Sequence, residues 1–279
     1  MTSSDINRPC QLIAILMYPP NRIICLTEET VEVLYLLGEQ DRIVGISGYV
    51  VRPPQARREK LKVSSFTSAD IEKISALGPD LVLAFSDIQA DIVANLIRQG
   101  IQVHAFNQRT VSGIFEMIHL LGAMVGVGAK ANALVDRLQR NIDRAKEQSS
   151  VLKVRPKVFF EEWYDPLISG IGWVSELVEV AGGIDIFPNC ARQPAAKDRV
   201  VTSSDVVMAD PDIIIGSWCG RRFQPSLVGQ RPGFSNISAV RNNQLHEIKS
   251  PIILQPGPAA LTDGLSAIQS IINRWAGLT

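Results

Sequence analysis

The chain has 279 residues, enough for one large domain or two medium ones that each bury a core. Lys plus Arg and Asp plus Glu number 28 each, so the net charge is zero and the basic face expected of a nucleic-acid binder is missing. With 46% apolar residues and no run near the roughly 18 apolar residues of a membrane span, the composition is that of an ordinary globular protein.

The first apolar stretch, Cys10 to Met17, is preceded only by Arg8 and followed by Pro19-Pro20. A secretory leader needs a basic start, about 7–15 apolar residues and a small-residue cleavage site. Residues 10–18 are therefore expected to form a first strand or edge segment. On that reading the chain either stays in the cytoplasm or is not the complete precursor. Arg22 to Leu26 is strand-like, and Thr27 opens a helix with Val31, Leu34, Tyr35 and Leu37 at helical spacing, closed by Gly38. Arg42 to Ser47 is the next strand, and Gly48-Tyr49 begins a loop through Pro53-Pro54.

One phrase is then written twice. Ser68 to Ala84 and Thr202 to Gly216 each read as a short helix, a Pro-Asp turn (Pro79-Asp80, Pro211-Asp212) and an apolar β-branched run. Proline cannot continue a helix and pushes its predecessor out of the helical region. The run behind it suits a strand covered on both faces. Between the copies, residues 88–99 read as a helix and 101–106 as a strand; residues 111–125 and 127–149 read as helices. The last carries Ala131, Leu134, Val135, Leu138, Ile142 and Ala145 on one stripe. At 1.5 Å per residue it is roughly 35 Å long, a rigid spine rather than a linker. After Arg155-Pro156 the alternation restarts: strand 157–161, loop 162–166, helix 173–181, the second copy, a segment at 246–249 and a helix over 261–275. The expected fold class is α/β, with two Rossmann-like lobes on a long backbone helix and a ligand cleft between them. The lobes are bounded at 1–126 and 151–279, with 127–150 connecting.

Catalytic signatures are missing. No phosphate-binding loop with Lys-Ser/Thr behind its glycines occurs, and Gly45-Ile-Ser47-Gly48 lacks the final glycine of a nucleophile elbow. His104, His119 and His246 have no partner at metal-ligand spacing. Cys10, Cys25, Cys190 and Cys219 form no C-x-x-C pair and read as buried free thiols. Glu28-Glu29 and Glu161-Glu162 point apart as neighbours, and are expected to be capping or solvated groups. What remains is a set of aromatics at strand exits, where the crevice of an open α/β sheet lies: Tyr49, Phe66, Phe85, Trp163, Tyr164 and Trp218. They are the expected ligand-binding residues of a non-catalytic receptor.

The stretch Arg42 to Tyr49 through Pro53-Pro54, with Val63-Ser-Ser-Phe66, Ile71-Glu72 and Pro79 to Phe85, resembles the substrate-binding proteins of ABC importers that have a helical backbone (class III). Among these the chain is most similar to the cobalamin-binding members. The resemblance implies a monomeric corrinoid receptor without a cofactor of its own, periplasmic, delivering cobalamin to a permease. It places Tyr49 against the corrin, with Phe66, Phe85 and the loop at Trp163-Tyr164 lining the cleft. It also places Glu72 as the N-lobe contact to permease arginines. In the second lobe the matching position is Ser204, and Asp205 is the nearest acid. A C-lobe aromatic expected near Lys197–Val200 is absent, and Gln255–Pro258 departs from the family pattern. Within the same fold a ferric siderophore could be met by Arg52, Arg199 or Arg221-Arg222. Haem would need an axial Tyr49 or Tyr164. A cytoplasmic corrinoid-handling protein is the further alternative.

Overall fold

A computed structural model of the chain describes residues 19–278. The segment 10–18, with Cys10, lies outside the described residues.

The N-terminal lobe runs β1 (Ile23–Cys25), α1 (Glu28–Leu36), β2 (Ile43–Ser47), α2 (Pro54–Glu59), β3 (Lys62–Ser64), α3 (Ile71–Ala76), β4 (Leu81–Phe85), α4 (Ala90–Arg98) and β5 (Val103–Phe106). Its sheet is wholly parallel in the order β3-β2-β1-β4-β5. The order reverses at β1, so a crevice opens beyond the carboxyl ends of β1 and β4, where α1 begins. Helices α5 (Val111–Met124) and α6 (Gly128–Ser149) then pack together as the spine.

The C-terminal lobe runs β6 (Lys157–Tyr164), β7 (Leu167–Ser169), α7 (Gly172–Val180), β8 (Ile184–Asp185), α8 (Pro188–Ala191), α9 (Ser203–Ala209), β9 (Ile213–Gly216), α10 (Pro225–Gly229), α11 (Ser238–Arg241), β10 (Leu245–Glu247), α12 (Ser250–Ile253) and α13 (Leu265–Trp275). Strands follow the order β10-β9-β6-β7, with β8 also on β6 and only β7 antiparallel among the described residues. Several elements differ from the sequence reading, four of them near the strand ends or the returning segment. β3 and α2 stand where a loop is expected, because Lys62–Ser64 is only three residues long and carries one buried apolar side chain. β6 continues to Tyr164, so Trp163 and Tyr164 are strand residues paired with β7 rather than loop residues. The final helix starts with a π-helical turn, Ala260–Gly264.

The repeated phrase has a physical reason visible in both lobes. Asp70 and Thr202 cap α3 and α9, each accepting from the backbone N–H three residues on. The Asp after each Pro bonds the head of the neighbouring strand: Asp80 accepts from Asn21 N and Arg22 N, Asp212 from Lys157 N at 2.8 Å. A cation from that strand returns to the helix end, Arg22 to the Leu77 carbonyl and Lys157 Nζ to the Ala209 carbonyl. A cation suits a helix C-terminus, where carbonyls are left without partners. Each phrase thus fastens a helix to a central strand at the end of the sheet opposite the crevice.

The predicted stripe of α6 is buried, with Ala131, Leu134, Leu138, Ile142 and Ala145 in one apolar core that includes β1, β2 and β4 of one lobe and Val158, Phe160 and α7 of the other. After β10 the chain returns to this spine. Trp173 Nε1 donates to the Ile253 carbonyl at 2.9 Å, Asn141 Nδ2 to that of Leu261 at 2.7 Å and Gln269 Nε2 to that of Ala145 at 3.2 Å. A shared core leaves little freedom for the lobes to swing apart.

Candidate functional site

Tyr49 stands just past β2 and is 58% exposed. The loop beneath it is fixed through backbone: Gly48 N donates to the Ser64 carbonyl at 2.7 Å, and Val51 N to Glu28 Oε2 at 3.3 Å. Phe66 is half-buried after β3, and Phe85, the last residue of β4, is nearly covered. One buried side chain sets both. Gln89 accepts from Phe85 N at 3.0 Å and donates to the carbonyls of Phe66 and Leu26. Arg109 lays its guanidinium 4.9 Å from the centre of the Phe85 ring and reaches Asp87 at 3.4 Å. Burial lowers its pKa, and its field is shared with Arg199 and Glu162 of the other lobe.

In the second lobe the aromatics form one contiguous stack of tilted and edge-on rings rather than a set of separate rings. Trp163 meets Tyr164 at 5.8 Å, Tyr164 meets Trp218 at 5.0 Å, and Trp218 meets Phe223 at 5.0 Å. Phe223 lies on the end of β9, where a Cβ on Gly216 would come within 1.9 Å of its ring, so no larger residue fits there. Arg221 covers the outer face of Tyr164 at 4.1 Å. Below the stack, Glu161 is wholly buried. Its carboxylate accepts from Trp218 Nε1 at 2.9 Å and from both terminal nitrogens of Arg231 at 2.7 and 2.8 Å, and Arg231 also donates to the Tyr164 carbonyl. Bidentate charge-assisted bonds are the strong ones.

Several expectations change here. The carboxylate pairs are not solvated: Glu28, Glu29 and Glu161 are buried, and Glu162 forms a bidentate pair with Arg199 at 2.6 and 2.9 Å. Burial raises Glu28 and Glu29 to about 7. Thr27 does sit at the α1 N-cap, but its hydroxyl donates to Glu29 Oε1 at 2.6 Å instead of accepting a helix N–H. Arg199 is only 1% exposed and spends its guanidinium on Glu162 and the Ser169 carbonyl. Arg52 is held by Glu32 and Asp263. Neither is a free cation for an anionic chelate, whereas Arg221 and Arg222 are exposed. Trp218 is 2% exposed, so the structure places it under Tyr164 and not at the cleft surface. Cys25 is buried, and its thiol is pushed up to about 12 by desolvation; Cys219 is exposed and Cys190 half-buried. Residue order alone hid Gln89, Arg109 and Arg231, because each acts on a partner far along the chain. The one local signal was Glu161, a carboxylate ending an apolar run.

Glu72 is exposed on the first turn of α3. Ser204 is its counterpart on α9 and is also exposed. Asp205 closes a capping box, its Oδ2 accepting from Thr202 N at 2.9 Å and Thr202 Oγ1 at 2.6 Å, which holds its pKa below the usual carboxylate range. A cavity of about 600 Å³ lies on the flank between Val111, Ile142, Gly172 and Ala191, and one of about 460 Å³ lies behind Tyr164 and Arg231. Neither is lined by Tyr49, Phe66 or Phe85. Among the described residues no His/Cys/Asp/Glu group has the arrangement of a metal site, and no helix is long and apolar enough to cross a membrane.

Two α/β lobes on a helical spine, with aromatics at the carboxyl ends of both sheets, define a binding protein of the helical-backbone kind. Residues 23–252 match the family described as periplasmic binding protein, and the chain belongs to that family. It is accordingly a non-catalytic solute-binding protein of an ABC transporter, with a transported ligand and no cofactor. The chain is 26% identical over 259 residues to an uncharacterized ABC transporter substrate-binding lipoprotein of Bacillus subtilis, across 91% of this chain and 80% of the relative. It is 28% identical over 253 residues to the vitamin B12-binding protein of Vibrio cholerae, across 88% and 86% respectively. A periplasmic heme-binding protein of Pseudomonas aeruginosa shares the fold at a TM-score of 0.79 with 19% identity, over 92% of this chain and 94% of that one.

Proposed function

We propose that the chain binds a corrinoid, cobalamin foremost, in the cleft between its lobes and presents it to an ABC importer outside the cytoplasm. The observation that carries this reading is the pair of aromatic platforms at the carboxyl ends of β2 and β6. Tyr49 is exposed on one lobe, and Trp163 and Tyr164 are half-exposed on the other. A flat macrocycle suits such faces, because aromatic side chains give large contact area at small entropic loss. The similarity to a vitamin B12-binding protein across most of both chains supports the same choice. Phe66 and Phe85 complete the N-lobe wall, and Trp218 acts from beneath through Tyr164. Glu72 docks the permease on the first lobe. On the second lobe Asp205 does so with Oδ1, since Oδ2 serves Thr202. The receptor works as a monomer.

Haem, or a ferric siderophore, is the second reading. It is favoured by Arg221, an exposed cation beside the Tyr164 ring suited to a ligand carboxylate, and by the exposed Tyr49, whose hydroxyl has no hydrogen-bond partner among the described residues. Parallel titrations with cyanocobalamin and haemin separate the two. Preference for cyanocobalamin, weakened in Tyr49→Ala, supports the corrinoid. Tight haemin binding with a phenolate-type visible spectrum, abolished by Tyr49→Phe, replaces it.

A further inference from the structure

The side chains just behind Tyr49 form a network that the ligand-binding reading does not use. Arg52, three residues on, donates from Nε to Glu32 Oε1 at 3.2 Å and from Nη1 to Asp263 Oδ2 at 2.9 Å. Glu32 belongs to α1, whereas Asp263 belongs to the π-helical turn that carries the chain back from the second lobe. The other oxygen of Glu32 accepts from Ala259 N at 3.0 Å. Arg52 and Glu32 therefore each hold the N-terminal lobe with one contact and the returning segment with another. Gln108 Nε2 donates to the Pro256 carbonyl at 3.0 Å, and Gly257 lies so close to α1 that a Cβ there would come within 2.7 Å of Glu29 Cβ. The returning segment thus meets α1 at Gly257 and Ala259, Gln108 at Pro256 and Arg52 at Asp263.

We propose that Arg52 is a positioning residue for the cleft ligand: it couples the Tyr49 loop to the segment 257–263, so that the seam between the lobes sets where Tyr49 stands. The inference rests on the reading of Tyr49 as a ligand contact. An isolated exposed ion pair would give little leverage. Here the Glu32 side chain is only 12% exposed and accepts from Ala259 N as well as from Arg52, which also reaches Asp263, so Arg52 closes a connected network. Val51 N, between Tyr49 and Arg52, is fixed separately by Glu28, which leaves Arg52 as the link from this loop to the seam. Any shift of the second lobe that moves 257–263 is passed to the loop through Asp263 and Ala259, the kind of small displacement a packed interface transmits.

Two measurements on the full chain test it. The first is amide hydrogen exchange without ligand, on the parent, Arg52→Ala and the milder Asp263→Asn. Exchange at residues 49–52 and 257–260 is expected to rise by about tenfold or more in Arg52→Ala, less in Asp263→Asn, with core strands unchanged. Unchanged exchange in both variants overturns the proposal. The second is a double-mutant cycle with cyanocobalamin. Arg52→Ala is expected to weaken binding about tenfold in the parent and hardly at all in Tyr49→Ala. Equal losses in both backgrounds overturn positioning through Tyr49. If the parent fails to bind cyanocobalamin the ligand assignment falls, and the exchange measurement still decides the role of Arg52.

Discussion

The two lobes are built on one phrase and yet hold their aromatics by different means. In both, a capped helix, a Pro-Asp turn and a buried strand lock together through the same set of bonds, Asp80 with Arg22 and Asp212 with Lys157. At the cleft the likeness ends. The second lobe stacks four rings on a buried ion pair, Glu161 with Arg231. The first lobe leaves Tyr49 exposed on a loop held by two acids of α1, Glu28 through Val51 N and Glu32 through Arg52. The frame is repeated, while the aromatic surface at the strand ends is particular to each lobe: one is anchored on a buried ion pair, the other is bonded to the segment returning from the second lobe.

Breaking the buried pair should show the largest difference. Glu161→Ala leaves Arg231 charged and unpaired beneath the stack, and removing one partner of such a pair is destabilising by about 3–5 kcal/mol. Urea denaturation is expected to show that loss, and a change under ~1 kcal/mol would mean the stack stands without the pair. Tyr49→Ala makes the opposite case: a residue more than half exposed contributes little to folding, within about 0.5 kcal/mol. Its removal is expected to weaken cyanocobalamin binding by about 2 kcal/mol, roughly thirtyfold. Calorimetry with a parallel melting curve checks both halves.

The acids of the first lobe sharpen the contrast through pH. Burial raises Glu28 and Glu29 from about 4.5 to about 7, so between those values the folded chain keeps protons that the unfolded chain has released. Their stabilisation is full below about pH 4.5 and is lost as pH rises through about 7. His104 and His246, lowered by burial, act in the opposite sense as pH falls below 6.5. The parent-minus-variant difference therefore isolates the acids. Glu29→Gln is expected to remove ~1–3 kcal/mol of the loss between about pH 5 and 8; parallel curves for the two proteins would show that Glu29 does not titrate there. The smallest effect is on docking. Glu72→Ala is expected to lower ligand-stimulated transport in vesicles carrying the cognate permease without altering ligand affinity, and Ser204→Glu to raise it. Transport unmoved by either change removes α3 and α9 as docking sites.

Much of the frame was legible because it is local. Pro79 and Pro211 end helices, the β-branched runs behind them make strands, and the stripe from Ala131 to Ala145 names the buried face of the spine. The ends of β6 were less legible: pairing with β7 turned an expected loop into strand at Trp163 and Tyr164. The cleft was half legible. Aromatics at strand exits could be named, but burial could not. Trp218 is under the stack because Glu161 takes its indole N–H, and Arg199 is consumed by Glu162. Those partnerships span dozens of residues and leave no periodic trace, and the same holds for Arg52 with Asp263.

The most direct test of the account is a calorimetric titration of the purified chain with cyanocobalamin, followed in the visible corrin spectrum, with Tyr49→Ala beside it. One-to-one sub-micromolar binding that the substitution weakens is the predicted result. No binding up to about 100 µM, a free energy weaker than ~5.5 kcal/mol, would contradict the corrinoid reading and leave haem or a ferric siderophore as the ligand.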